Sequence, residues 1–250
     1  MPRILLINPN TSDSVSRLIR AEAERAAGAD ATIEVLTAPF GVAYIETRFE
    51  ALIGAYATAQ LAAGHHETAD AIVVAAFGDP GLSGLREALP VPVTGMTEAA
   101  LASACLLGQR FSIVAISQRI RAWYRETVDA NGLIGRLASI RALDEPLADI
   151  GKVQEDKAER LVELAGRCVD EDGADVIILA GAPLAGLARS VASRLPVPAV
   201  DGVSSAIRHA ITLTRLAPAR ATRGSFAPTP RKPHTGLPEP IARLLDRTPP

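Results

Sequence analysis

Short strand-like segments punctuate the chain at intervals: Ile4 to Ile7, Ile33 to Leu36, Ala71 to Ala76, Arg110 to Ile116, Ser139 to Ala142 and Val176 to Ala180, of which Ala71 to Ala76 and Val176 to Ala180 are continuous apolar runs. Most are β-branched in the middle and bounded by turn residues, the pattern of parallel strands buried on both faces. Stretches of helical period separate them. Val15, Leu18 and Ile19 share one helix face behind the capping group Thr11-Ser12. Longer helices are expected from about Phe49 to Gly64 and from Lys152 to Asp172, and a helix through Trp123, Tyr124 and Val128 stops at Asn131-Gly132. Strand and helix alternate throughout, so the fold class is α/β with parallel sheets flanked by helices.

The pattern occurs twice. Asp70 to Leu82 reads Asp-Ala-Ile-Val-Val-Ala-Ala-Phe-Gly-Asp-Pro-Gly-Leu, and Asp175 to Leu187 reads Asp-Val-Ile-Ile-Leu-Ala-Gly-Ala-Pro-Leu-Ala-Gly-Leu. Pro90-Val91-Pro92-Val93 is answered by Pro196-Val197-Pro198-Ala199, and each is followed by a helix. A repeated unit predicts two similar lobes, divided as residues 1–95 plus about 202–216 in one and 96–201 in the other. Open α/β sheets bind ligands beyond the carboxyl ends of their strands, where helix N-termini present N–H groups. The cleft is therefore expected between the lobes, at Phe77 to Gly81 and Gly181 to Gly186. Residues 217–250 change character, with eight prolines and little periodicity before Ile241 to Leu245. They read as an extended arm that packs on the body or reaches a neighbouring subunit.

Composition narrows the partners. The chain has 250 residues, 22% charged, with a formal net charge of −2 and mean hydropathy of +0.18. That balance gives no electrostatic reason to expect nucleic acid or an anionic membrane. No apolar run approaches the roughly 20 residues of a membrane span, and no signal-peptide pattern opens the chain, so the expected location is cytoplasmic. Of the two cysteines, Cys105 and Cys168 lie in helical stretches without metal-ligand spacing, and the adjacent His65 and His66 point apart on a helix. No metal is expected. A Walker-type phosphate loop and the Gly-x-Gly-x-x-Gly spacing are both missing, which argues against a dinucleotide.

Candidate ligand contacts follow from the cleft. Asn8 and Thr11 stand at the carboxyl edge of the first strand, and Ser117 at the corresponding edge of the fifth. Ile45 and Glu46 lie in an apolar loop, residues 38–47, able to close over the opening. Phe77, Gly78, Gly181, Ala182 and Pro183 form the two turns. Asp79 and Glu46 are the candidate catalytic carboxylates, with Glu98 and Asp201 nearby in sequence pattern. Capping competes as a role for Thr11, Glu46 and Ser117.

Four motifs in order carry a resemblance: Ile7-Asn8-Pro9-Asn10-Thr11-Ser12, Ile45-Glu46, Ala76-Phe77-Gly78-Asp79-Pro80-Gly81-Leu82 and Pro198-Ala199-Val200-Asp201-Gly202-Val203. Over roughly residues 3 to 216 the chain resembles the hydantoin and allantoin racemase branch of the aspartate/glutamate racemase family. The resemblance implies two lobes with the active site between them, no cofactor, and a homo-oligomer. It also implies two opposed thiols, one removing and one returning the proton of an acidic carbon. Those positions hold Ala76 and Gly181, or Ala182 with a one-residue slip, and neither residue moves a proton. Gly181-Ala182-Pro183-Leu184 departs from the family's Gly-Met turn as well, which reads as a natural lineage without the thiols. The expected activity is proton abstraction beside a carbonyl of a small cyclic ureide, amide or amino-acid-like substrate by non-thiol bases. Hydrolysis or lyase chemistry in the same cleft and ligand binding without turnover are the alternatives.

Overall fold

A computed structural model describes residues 1–145, 147 and 149–247. The first sheet is built from β1 (Arg3–Asn8), β2 (Thr32–Thr37), β3 (Ala71–Val74) and β4 (Val93–Gly95), in the order β2-β1-β3-β4. The helices α1 (Asp13–Ala27), α2 (Arg48–His65) and α3 (Leu82–Ala88) connect its strands. After α4 (Met96–Leu107) the pattern repeats with β5 (Phe111–Ala115), α5 (Arg121–Ala130), β6 (Leu137–Ala142), α6 (Val153–Asp170), β7 (Val176–Leu179), α7 (Leu187–Ser190) and β8 (Ala199–Asp201). Its order is β6-β5-β7-β8, and every strand pair in both sheets is parallel. Ile4 pairs with Ala71 in one sheet as Phe111 pairs with Val176 in the other, so the duplication read from the sequence is a duplication of structure. The α/β fold with two parallel-sheet lobes is as expected.

In each sheet the chain reverses direction of travel between the first strand and the third. A crevice opens at such a switch point, beyond the carboxyl ends. The turns after β1, β3, β5 and β7 therefore converge.

The helices that close the sheets change sides. Helix α4 leaves β4 and packs against β7 and β8, whereas α8 (Gly202–Leu216) leaves β8 and packs against β1, β3 and β4. The two helices also pack on each other. At their crossing a Cβ on Gly202 would sit 2.8 Å from the Met96 carbonyl oxygen and 3.0 Å from Met96 Cε, so only glycine allows this approach. One continuous apolar core results, running from Ile4, Leu6 and Val73 in the first sheet to Ile113, Val176 and Ile178 in the second.

A smaller cluster, including Leu5, Ile7, Ile72 and Val74, lies on the other face of the first sheet. The C-terminal arm completes it. Helix α9 (Glu239–Leu245) packs on α2, and Leu244 reaches that cluster. Arg247 pairs with Glu67 at 2.9 Å, and Arg220 donates to the Ala88 carbonyl at 3.3 Å. In the described chain the arm thus packs on the first lobe.

Candidate active site

The turn after β3 is held in an unusual shape. Gly78, Asp79 and Gly81 have φ of 105°, 48° and 82°; aspartate is one of the few non-glycine residues that tolerate this region. Two features fix Asp79 there. Its carboxylate accepts the Thr97 N–H at 2.8 Å and the Glu98 N–H at 2.9 Å, at the first turn of α4. Gly95 leaves the space, since a Cβ on it would lie 2.6 Å from Asp79 Oδ1. Thr97 Oγ1 in turn accepts the Gly78 N–H at 2.5 Å. Burial pushes the Asp79 carboxyl up to about 7, against the pull of the two N–H donors and with a further rise from Glu98.

The second turn is held from behind. Gly181 has φ of 114°, and Gln154 Nε2 on α6 donates to the Pro183 carbonyl at 2.8 Å and the Ala185 carbonyl at 2.9 Å. Between the two turns lies a cavity of about 30 Å³. Asn10, Tyr44, Ile45, Ala76 and Phe77 line it from the first lobe, and Ile116, Ile120, Tyr124, Ala182 and Pro183 from the second. Its volume suits a water molecule, whereas ligand pockets run to about 300–1,000 Å³. The lobes are thus closed on each other. Phe77 and Tyr124 pack with ring centroids 4.7 Å apart, and Arg48 Nε reaches Glu126 Oε2 across the opening at 2.8 Å.

Glu46 follows Tyr44 and Ile45, which line this cavity, and is not itself a lining residue. The capping of α2 is carried by Thr47 and Glu50, whose carboxylate accepts the Glu46 N–H at 2.8 Å and the Thr47 N–H at 2.9 Å. The Glu46 carboxylate is left for Tyr44. Burial raises the Tyr44 phenol well above its usual range, Glu46 raises it further, and the Ser117 hydroxyl pulls the other way. Burial also raises Tyr124, with the Asp79 and Glu46 charges adding to it. Both phenols therefore hold their protons.

The remaining sequence candidates divide. Ile45, Phe77, Gly181, Ala182 and Pro183 line the cavity, and Ser117 stands beside Tyr44. Asn8 is fully buried and serves its own loop: Nδ2 donates to Asn10 Oδ1 at 3.1 Å and Ser16 Oγ at 2.9 Å. Thr11 N–H donates to the Val42 carbonyl at 2.9 Å, tying that loop to residues 38–47. Gly78 and Asp79 line an outer groove of about 520 Å³ with Trp123 and Arg86. Asp201 caps α8 by accepting the Ser204 N–H at 2.9 Å. Asn10, Tyr44, Tyr124, Ile116 and Ile120 were not among the sequence candidates; Asn10 lay inside the first motif, whereas Tyr124 read only as a helix core position. Cys168 is buried behind the second sheet with its thiol pushed up by burial, and neither cysteine lines the cavity. Among the described residues no three His, Cys, Asp or Glu side chains gather as a metal site requires, and no helix is long and apolar enough to cross a membrane.

Comparison with known proteins agrees with the fold. The family profile described as Asp/Glu/Hydantoin racemase matches residues 4–210. A hydantoin racemase of Paenarthrobacter aurescens is 35% identical over 216 residues, covering 86% of this chain and 92% of that protein. One from Pseudomonas sp. (strain NS671) is 31% identical over 242 residues, covering 96% and 97%. Among solved structures, allantoin racemase from Klebsiella pneumoniae superimposes with a TM-score of 0.91 at 32% identity, over 96% of this chain and 99% of that one.

Proposed function

The chain belongs to the Asp/Glu/hydantoin racemase family, and on that premise we propose that it enolises a small cyclic ureide or amide between its lobes with Glu46 as the base. The observation that carries the reading is that Tyr44, on which the Glu46 carboxylate acts, lines the cavity together with Ala76 and Gly181. When the lobes part to admit substrate, the Glu46 carboxylate takes the proton from the carbon beside the carbonyl. The resulting enolate needs donors. Among the described residues no acceptor bonds the N–H of Phe77 or Ala182, one from each lobe, and these are assigned to the oxygen. Tyr124, protonated and on the second lobe, returns a proton from its side, after which solvent resets both groups. Asp79 becomes a positioning residue that fixes the Phe77–Gly78 turn to α4. The carbonyl itself delocalises the charge, so the scheme needs no cofactor.

The test is deuterium exchange in D2O, followed by NMR and polarimetry on single-enantiomer 5-substituted hydantoins and allantoin. Wild type is expected to incorporate deuterium with loss of optical rotation. Glu46→Gln is expected to lose both by about 10²–10⁴-fold. Tyr124→Phe is expected to keep exchange while slowing loss of rotation. Exchange untouched by Glu46→Gln would overturn the assignment of the base, and absence of exchange throughout would overturn the reaction. A second reading rests on the one carboxylate beside the lining residue Tyr44, that of Glu46, where opposed thiols are missing. Hydrolysis or lyase cleavage of a related amide needs one base, and ring-opened product in the same assay would identify it.

A further inference from the structure

A cavity of about 410 Å³ opens at the amino end of β4, where Leu89 to Val93 lead into the strand, α8 contributes Leu213, and the arm adds Pro218 to Ala221 and Phe226. Among the described residues it shares no wall with the cavity between the lobes. Its size falls in the range of ligand pockets, about 300–1,000 Å³. Its wall is of the matching kind. Apart from Arg86 and Arg220, every described residue lining it is Ala, Val, Leu, Pro or Phe. Ligand sites combine such an apolar wall with a few polar groups that fix orientation.

The two arginines differ. Arg86, on α3, donates from Nη2 to the Val93 carbonyl at 2.8 Å and is paired with Glu98, so its charge is already balanced. Arg220 donates to the Ala88 carbonyl at 3.3 Å, and among the described residues no carboxylate pairs with it. The cavity therefore carries one uncompensated positive charge on an apolar wall. We infer that it is a second ligand site, for a small amphipathic carboxylate whose apolar body lies among Leu89, Leu213 and Phe226 and whose carboxylate takes the fork of Arg220. A guanidinium receives a carboxylate through two parallel hydrogen bonds, and one negative charge neutralises the one cation left unpaired. A doubly charged group such as a phosphate ester finds no second unpaired cation in this wall. The apolar body answers the rest of the wall: Phe226 is 43% exposed, and a ring or branched chain seated beside it takes that surface out of water. Arg86 also lines the groove that holds Asp79, so one side chain joins this site to the first turn of the candidate active site. Binding here requires none of the chemistry proposed for the cavity between the lobes.

Hydrocinnamate serves as the probe, titrated into the full chain by isothermal calorimetry. Saturable binding is expected, with a dissociation constant below about 1 mM. Hydrocinnamyl alcohol keeps the body without the charge and acetate the charge without the body; each is expected to bind at least about 10-fold more weakly. Arg220→Ala and Phe226→Ala are each expected to weaken hydrocinnamate at least about 10-fold with far-UV circular dichroism unchanged, since both positions lie in the arm outside the sheets. Methyl NMR of the wild type locates the probe, with shifts expected at Leu89, Val91 and Leu213. The absence of saturable binding, an alcohol that binds as well as the acid, or shifts confined to Ile116 and Ile120 of the cavity between the lobes would overturn the site. Binding that a folded Arg220→Ala leaves intact would do the same. Should an arm variant fail to fold, the probe series and the methyl shifts on wild type decide alone.

Discussion

Replacing Gly78 with alanine should separate the lobes. Gly78 has φ of 105°, and a Cβ there would lie 2.5 Å from Trp123 Cη2 and 2.8 Å from Cε2. Two costs add. A non-glycine residue held in that backbone region costs about 1–3 kcal/mol, and forcing a methyl into a packed contact costs about 1–3 kcal/mol. The second cost falls on the junction between lobes, since Trp123 belongs to α5 and the turn to the first lobe. Relief requires α5 to retreat, which loosens the Phe77–Tyr124 contact and the Arg48–Glu126 pair. The expected loss is about 4 kcal/mol, or about 8–16 °C in Tm at 2–4 °C per kcal/mol. Thermal and urea unfolding measure it, with Gly84→Ala as control; Gly84 lies in α3 with nothing within 4 Å of its Cβ position and should be neutral or slightly stabilising. The cycle with Trp123→Ala separates the costs. In the Trp123→Ala background the steric part disappears and the backbone part stays, so Gly78→Ala should cost about 1–3 kcal/mol less there. Equal cost in both backgrounds would refute the claim that Trp123 closes the lobes on this turn, and a loss within 0.5 kcal/mol of zero in wild type would refute the strain argument too.

The two turns should respond differently to a thiol placed where the resemblance implies one. Ala76→Cys is expected to leave Tm within about 2 °C, whereas Gly181→Cys should lower it by about 2–12 °C, because its Cβ finds open space beyond Pro183 Cδ at 3.6 Å but its backbone has φ of 114°; equal stability of the two would show that the second turn relaxes freely. Asp79 gives a pH signature. Its pKa rises on folding from 3.8 to about 7, so across that interval the folded state binds more protons than the unfolded one, and stability falls as pH rises from about 4 to 7. Asp79→Asn should remove that slope; it should cost about 1–3 kcal/mol near pH 4, where one α4 N–H loses its acceptor, with the gap to wild type narrowing toward pH 8. Parallel Tm–pH curves for the two proteins would contradict the assignment.

The duplication made the fold legible, because a buried parallel strand reads as an unbroken apolar run and the two copies share their punctuation. The exchange of α4 and α8 depends on the close approach at Met96 and Gly202, a tertiary fact with only a glycine to mark it. The site was legible by turn and less so by side chain. Phe77, Gly181, Ala182 and Pro183 follow from strand ends alone, whereas Tyr124 comes from the face of a helix whose partner lobe the sequence does not name. Asn8 and Asp79 stood out as polar residues at the right edge, yet each has hydrogen-bond partners in its own neighbourhood: the Asn10 and Ser16 side chains for one, the α4 N-terminus for the other. Asp201 does the same at α8. A helix N-terminus beside a cleft suggests an anion site from sequence, but here both closing helices already receive a carboxylate from the chain. Their dipoles therefore steady the turns, and an incoming oxygen is left to the N–H groups of the turns themselves. That division explains how the fold keeps the shape of its turns where the two thiols are missing: Asp79 and Gln154 hold the backbone, and neither hold involves the side chain at position 76 or 181.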